Sequence, residues 1–335
     1  MSRLIAVHPC RGHPNDASSP VWTQLLQAAG HRVREVDVHR ADILEQLDGC
    51  HGFMWRHGHY PSMRLIARRL LPVIERELGL VVYPDQDTCW HYDDKIIQSY
   101  LFDALGIPAP RTWVFYDKSL ADEFAESASY PLIIKLYSGA GSSNVMLLQS
   151  VREARAWIAR LFGSGVRKLA GPKGKWLDRA KRKAAVSLGL RAEPQWEVHK
   201  DYVLFQEFLP GNRFDTRVTV IGDRAFGFRR FNRADDFRAS GSGRIDYDPD
   251  QIAPDFIRLA FDTARKLRAQ SCAIDGLRRD DEPVVGEVSY TYVSWLVHAC
   301  PGHWDSNMQW HVGQMRPEEA QIQDFMARLE ERWNA

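Results

Sequence analysis

The chain has no Cys-x-x-Cys pair, and its five cysteines, Cys10, Cys50, Cys89, Cys272 and Cys300, are odd in number and scattered. That spacing argues against a disulfide framework and against a cysteine zinc site, and makes a reduced, cytoplasmic setting the expectation. No stretch approaches the ~18 apolar residues of a membrane span. The N-terminal run Leu4-Ile5-Ala6-Val7 is too short for a signal peptide and reads as a buried strand. Neither sign of charge dominates: 44 Lys and Arg against 43 Asp and Glu leave a formal net charge of +1, too little to argue for nucleic acid or a membrane surface. There is no internal repeat and no G-x-x-x-x-G-K-[ST] phosphate loop. With 335 residues the chain has room for about two full cores, so its ligand must be read from local clusters.

From Arg3 to Pro84 short apolar strands alternate with helical stretches. Strands are expected at Leu4 to Val7, Val33 to Val38, Gly52 to Trp55 and Val81 to Pro84, with helices over Val21 to Ala29 and Met63 to Leu78. This is a βαβ layer. A helix over Asp94 to Leu105, with Ile96, Ile97, Tyr100, Leu101 and Leu105 on one face, ends at Gly106 before Pro108. Strands at Thr112 to Tyr116, Leu132 to Leu136 and Val145 to Leu148, with helices near Leu120 to Glu126 and over Val151 to Leu161, complete a small α+β lobe.

Residues 163 to 200 carry ten Lys or Arg against three Asp or Glu and are punctuated by glycines, so they read as an insertion. Either it is a solvated basic helix or it is a lid that guides acidic substrates. The last unit opens with Tyr202 to Gly211 and continues as a hairpin, Asp215 to Ile221 and Ala225 to Phe231, turning at Gly222-Asp223. A helix over Pro254 to Leu267, a hairpin of Ala273 to Gly276 with Pro283 to Ser289, and a helix over Pro317 to Trp333 follow. The expected divisions are 1–90, 91–162, 163–200 and 201–335.

Two lysines stand 40 residues apart, Lys95 in Tyr92-Asp93-Asp94-Lys95 and Lys135 at the end of Pro131-Leu132-Ile133-Ile134-Lys135, just before Ser138-Gly139-Ala140-Gly141-Ser142-Ser143. A triphosphate is polyanionic, so its site needs fixed cations from more than one element and a small-residue loop to close on the phosphates. Lys135 interrupts an apolar strand, where a buried ammonium requires an anionic partner. Five arginines, Arg229, Arg230, Arg233, Arg238 and Arg244, precede or flank a second small-residue loop through Ser240, and read as either a solvated face or an anion pocket. Asp275 and Glu287 lie on apolar strands of one hairpin, where two carboxylates suit a hard cation such as Mg²⁺. The sets Cys50, His51, His57, His59 and His298, Cys300, His303 lack zinc-site spacing; His57 and His59 follow a strand end, where they could touch substrate.

In this order the elements resemble the ATP-grasp superfamily over nearly the full chain, close to glutathione synthetase, D-alanyl-D-alanine ligase and the ribosomal-protein glutamate ligases. The resemblance rests on Asp94-Lys95 heading a helix that ends Gly106-Ile107-Pro108-Ala109-Pro110, on Ile133-Ile134-Lys135 and its loop, and on Gln206-Glu207-Phe208-Leu209. It continues through Asp215-Thr216-Arg217-Val218, Asp236-Phe237-Arg238, Ile274-Asp275 and Glu287-Val288-Ser289. It implies an α/β fold in which two α+β lobes sandwich ATP behind an N-terminal βαβ layer.

By resemblance, Lys95 and Lys135 contact phosphates and the flap Ser138, Gly139, Gly141, Ser142 and Ser143 folds over them. Gln206, Glu207, Phe208 and Leu209 hold adenine by backbone contacts, and Asp215, beside Arg217, binds the ribose. Arg230 supports the transferring phosphate, and Arg238 with Ser240 faces the carboxylate substrate. Asp275, Glu287 and Ser289 hold one or two Mg²⁺, with Mn²⁺ able to substitute.

The pattern departs from the family at Ser289, where the usual metal-binding Asn is absent, and in the delayed Pro301-Gly302. The intervening Tyr290 to Trp295 either shapes a substrate pocket or is an aromatic packing patch. The implied activity is an ATP-dependent carboxylate-amine ligase working through an acylphosphate, on small-molecule acids and amines, in a dimer or tetramer. A kinase that phosphorylates without ligation and a non-catalytic ATP-binding regulator remain alternatives at this stage.

Overall fold

A computed structural model describes residues 2–9, 18–139, 144–169, 197–233, 236–239 and 242–334. Among these, the first strands, β1 (Leu4–Val7), β2 (Arg32–Glu35), β3 (Gly52–Met54) and β4 (Val81–Tyr83), pair in parallel in the order β2-β1-β3-β4. A parallel sheet is covered on both faces, which explains the unbroken apolar run of β1. Ile5 and Val7 point to one side, with Trp22, Leu26 and Met54, and Ala6 points to the other, with Phe53, Trp55, Leu71 and Val82.

β5 (Thr112–Phe115), β6 (Leu132–Lys135), β7 (Val145–Leu148) and β8 (Val203–Glu207) form an antiparallel sheet in the order β5-β8-β6-β7, backed by the helices Lys118–Ser127 and Val151–Leu161. A seven-stranded sheet holds β9 (Phe214–Ile221), β10 (Arg224–Phe231), β11 (Ile245–Asp246), β12 (Ser271–Arg279), β13 (Glu282–Ser289), β14 (Gly302–Asp305) and β15 (Trp310–Val312). Its order is β13-β12-β9-β10-β14-β15, with β11 on β10, and the helix Pro254–Leu267 packs beneath it.

Three expectations need correction. Val203–Glu207, which a division at residue 201 assigns to the C-terminal lobe, pairs between β5 and β6, because its Leu204 and Phe205 complete the central core. The closing helix Pro317–Asn334 leaves its own lobe and lays Ile322, Phe325 and Leu329 on the N-terminal sheet. There Ser18 and Trp22 donate to Glu318 and Gln321 at 3.2 and 2.8 Å.

The third concerns the helix Lys95–Ala104, capped by Asp94, whose carboxylate accepts from Ile97 N–H at 3.1 Å. Its buried face is Lys95, Gln98 and Phe102, while Tyr100 is 52% exposed. Gln98 is buried because its amide donates to the Val288 carbonyl at 2.7 Å and accepts from Val288 N–H at 3.2 Å, extending the ladder of β13.

Gly52 shows how closely the C-terminal helix seats: a Cβ there would lie 2.7 Å from the Phe325 ring. Phe325→Ala is therefore expected to cost about 3–5 kcal/mol in urea unfolding followed by tryptophan fluorescence. A loss below about 1 kcal/mol would mean that this ring does not anchor the helix.

Candidate active site

A cavity of about 410 Å³ lies between the inner faces of the central and seven-stranded sheets and reaches Arg56, His59, Tyr92 and Asp93 of the N-terminal part. Strand register explains how its charges meet. Asp275 on β12 stands opposite both Glu287 on β13 and Arg217 on β9, and Asp215, two residues before Arg217 on the same face, stands opposite Arg230 on β10. Arg217 donates to both Asp275 oxygens at 2.6 and 2.8 Å. Arg230 donates to both Asp215 oxygens at 2.7 and 2.6 Å, and its Nη2 lies 2.8 Å from Asp275 Oδ2. Burial opposes ionisation of Asp275, yet the two guanidiniums hold its carboxyl well below the usual range. Asp215 is pushed up by burial, against the pull of Arg230.

Lys95 sits at the first turn of its helix, with Nζ 3.2 Å from Glu287 Oε1, 3.2 Å from the Gly139 carbonyl and 3.9 Å from Asp93. Burial works against its charge, but Glu287 and Asp93 together keep its pKa above the ordinary value. Lys135 ends β6 in the cleft wall, and its ammonium has no hydrogen bond or ion pair with any described residue. Burial pulls it down to about 8, with Glu287 offsetting part of the shift and Lys95 adding to it. Four carboxylates thus face four cations, and Lys135 alone among the eight has no partner.

Of the expected site residues, Lys135, Gly139, Gln206, Glu207, Phe208, Leu209, Asp215, Arg217, Arg230, Arg238, Asp275, Glu287 and Ser289 line this cavity, and Lys95 joins them through Glu287. Ser138 is buried, its carbonyl accepting from Asn144 at 2.8 Å. Gly141, Ser142, Ser143 and Ser240 lie outside the described residues, as does most of the basic segment, 170–196.

Several side chains are engaged in ways their sequence does not show. Glu207 is clamped by Arg279 at 2.8 and 3.0 Å and accepts from Arg111 N–H at 2.7 Å, which leaves only its backbone for a ligand. Arg238 is gripped by Asp236 at 2.6–3.0 Å and reaches the Val145 carbonyl of the opposite sheet at 3.3 Å. Arg229 pairs with Asp246, and Arg244 lies over the Phe231 ring, so the arginine run divides between the cleft and the sheet surface. Ser289 Oγ donates to the Thr291 carbonyl at 2.8 Å.

The segment after Ser289 both packs and lines. Tyr290 donates to the His57 carbonyl, Tyr92 and Thr291 hydroxyls meet at 2.7 Å, and Tyr292 bonds Ser271 and Gln321, while Thr291, Tyr292 and Val293 face the cavity. His59 lines the cavity, whereas His57 is enclosed by Trp55, Tyr92 and Tyr290, and burial holds it down to about 3.

Sequence reasoning missed Asp93 and Arg64. Asp93 holds a left-handed φ of +51° and accepts from Gly139 N–H at 2.8 Å, which fixes the chain at Gly139. Arg64, buried on the helix Pro61–Pro72, donates to the Asp93 carbonyl at 3.3 Å and to Glu197 at 3.1 Å, and lies over the Tyr137 ring. The non-glycine turn before Lys95 offered a faint signal for Asp93; a single arginine in an amphipathic helix offered none for Arg64.

Two antiparallel sheets close on a cleft of paired cations and carboxylates, behind a parallel three-layer unit, in an α/β protein. No family model matches the chain. It is 31% identical over 163 residues to the α-aminoadipate–LysW ligase LysX of Saccharolobus solfataricus, covering 47% of this chain and 46% of that protein, so the chain spans about half the length of the curated relative it matches. Among solved structures it is similar to the ATP-grasp ligase PsnB bound to a minimal precursor (TM-score 0.58, 18% identity, 98% of this chain and 100% of that one). It is also similar to a RimK-domain ATP-grasp protein of Sphaerobacter thermophilus (0.57, 15%, 97% and 99%) and to the D-alanine–D-alanine ligase of Bacillus anthracis (0.56, 11%, 99% and 98%). The chain has the ATP-grasp fold.

The unpartnered Lys135 has a measurable signature. Between pH 8 and 10.5 the folded protein binds fewer protons at this group than the unfolded chain, so its contribution to stability rises with pH across that window. Below pH 8 the ammonium is a standing cost. Lys135→Met is expected to be more stable than the parent at neutral pH, with the difference shrinking by pH 10.5. Parallel urea midpoints at the two pH values check this, and a constant difference would refute it.

Proposed function

We propose that this chain is an ATP-dependent carboxylate-amine ligase that works through an acylphosphate. The observation that carries the reading is the meeting of Lys95, Lys135 and Arg230, from three separate elements, with Glu287 and Asp275 in one cleft between the two sheets. Phosphoryl transfer is served by fixed charges of this kind, because little covalent chemistry falls to the protein.

In this reading the partnerless ammonium of Lys135 takes a phosphate oxygen as its anion, and Lys95 follows at the flap base. Phe208 and Leu209, with the backbone of Gln206 and Glu207, seat the base, and Asp215 the ribose. The γ-phosphoryl moves to a substrate carboxylate, giving ADP and an acylphosphate; an amine then attacks the acyl carbon, releasing phosphate and leaving an amide. Arg230, fixed by Asp215 and Asp275, faces the charge that develops during transfer.

The oxygen donors suit Mg²⁺: Glu287 Oε2 has no partner among the described residues, whereas Asp275 reaches a cation only in competition with Arg217 and Arg230. Mg²⁺ at Glu287 would neutralise phosphate charge, and Ser289, turned to Thr291, is left a lesser role. The substrates are a small or peptide-borne carboxylate and an amine, in line with the ligase names of the similar proteins.

ADP release with Mg²⁺-ATP across pooled acids, with and without pooled amines, tests the reaction, each pool being repeated with hydroxylamine. Amine-dependent ADP release with a hydroxamate is expected, and Glu287→Gln is expected to lower it by about 10²–10³-fold. ADP release with neither hydroxamate nor amine dependence would replace the ligase by a kinase.

ATP affinity should also fall as pH rises above 8, where free Lys135 loses its proton, and Lys135→Arg should flatten that profile. Calorimetric titration at neutral pH and at pH 10.5 reads the difference. A parent profile as flat as that of the variant would remove Lys135 from the phosphate site.

A further inference from the structure

The carboxyl edge of the N-terminal parallel sheet gathers a second cluster, apart from the cleft. His8 follows β1, and Asp37 and His39 follow its neighbour β2. His39 Nδ1 lies 2.9 Å and His8 Nδ1 4.0 Å from Asp37 Oδ1, and one ligand atom from each residue falls within 4.8 Å of the others. Among the described residues this is the only group of three or more His, Cys, Asp or Glu side chains so placed. We propose that His8, Asp37 and His39 form a binding site for a divalent transition ion of the Zn²⁺ class.

The donor set is two imidazoles and one carboxylate, which suits Zn²⁺ or Ni²⁺ and not Mg²⁺, whose sites are oxygen-rich and hydrated. Ligands around a tetrahedral ion at about 2.0–2.2 Å stand roughly 3.3–3.5 Å apart, so the present spacings need only small side-chain rotations. The groups are held before any ion arrives. His8 is buried, and its Nδ1 lies 3.0 Å from the Val36 carbonyl and 3.3 Å from Val38 N, contacts that hold the ring in place and that an ion bound at Nδ1 would displace. The Asp37 carboxylate accepts from His39 N–H at 3.0 Å, and its Oδ2 has no partner among the described residues.

The His8 ring lies 5.4 Å from the His39 ring and edge-on to Trp55 at 5.6 Å, which limits its rotation. In the free protein His39 Nδ1 and Asp37 Oδ1 lie 2.9 Å apart in a hydrogen bond, and an ion would take the place between them. Three protein ligands leave a coordination position open to water or to an outside group.

The test uses the full chain, freed of metal, titrated calorimetrically with ZnCl₂ alone and with MgCl₂ alone. It does not depend on the ligase reading, because no ATP is present. One equivalent of Zn²⁺ is expected to bind, about tenfold or more weaker in Asp37→Ala and His39→Ala. Both positions are about half exposed, so these variants should keep the parent's unfolding temperature. His311→Ala is the control, since His311 also pairs with an aspartate, Asp305, at 2.9 Å with His303 stacked on it, yet those groups do not converge. Zn²⁺ uptake unchanged in Asp37→Ala and His39→Ala, or lost equally in His311→Ala, or matched by Mg²⁺ at the same concentration, would overturn the site.

Discussion

The arrangement depends on one shared guanidinium. Arg230 donates to Asp215 across β9 and β10 and reaches Asp275 on β12, where Arg217 completes the square. Removing any one of the four would leave a charge buried without its counterpart, a far larger penalty than the net value of the network. The square ties three strands together and holds four of the eight charges at the cleft. It also ties up Asp275, so Glu287 is the carboxylate left open toward the cleft.

The second constraint is how the segment after β6 is held. Gly139 is tied to Asp93 through its N–H and to Lys95 through its carbonyl, while Tyr137 O accepts from Lys95 N–H at 2.8 Å. Arg64 reaches this point from the N-terminal helix and also holds Glu197, where the chain returns from the basic segment. On the opposite side Tyr290, Thr291 and Tyr292 bond His57, Tyr92, Ser271 and Gln321. Both antiparallel sheets and the loop residues Arg56, His59, Tyr92 and Asp93 therefore line a single cavity, which is why an N-terminal layer remote in sequence matters to the site.

Local chemistry was legible where a residue broke its own pattern. Lys135 at the end of an apolar strand, Asp275 and Glu287 in apolar strands, and the capping Asp94 before Lys95 each stood out because the surrounding burial demanded an explanation. Legibility ended where a partner came from far along the chain. Glu207 was expected to meet a ligand through its backbone alone, but the clamp on its carboxylate from Arg279, 72 residues later, was not visible. Nothing in the sequence signalled that the Gln98 amide would pair with Val288, 190 residues on.

What the sequence determined by itself was the kind and order of elements and the residue types a polyanion site needs, since periodicity, capping and the cost of buried charge are local properties. Which strand joined which sheet was decided by tertiary structure: β8 went to the central sheet and the last helix to the first because their apolar faces completed cores begun elsewhere. The pairing of charges was decided there too. Coulomb attraction and hydrogen-bond geometry act over a few ångströms of space, and only the folded chain brings Arg230 to Asp275 and His8 to Asp37.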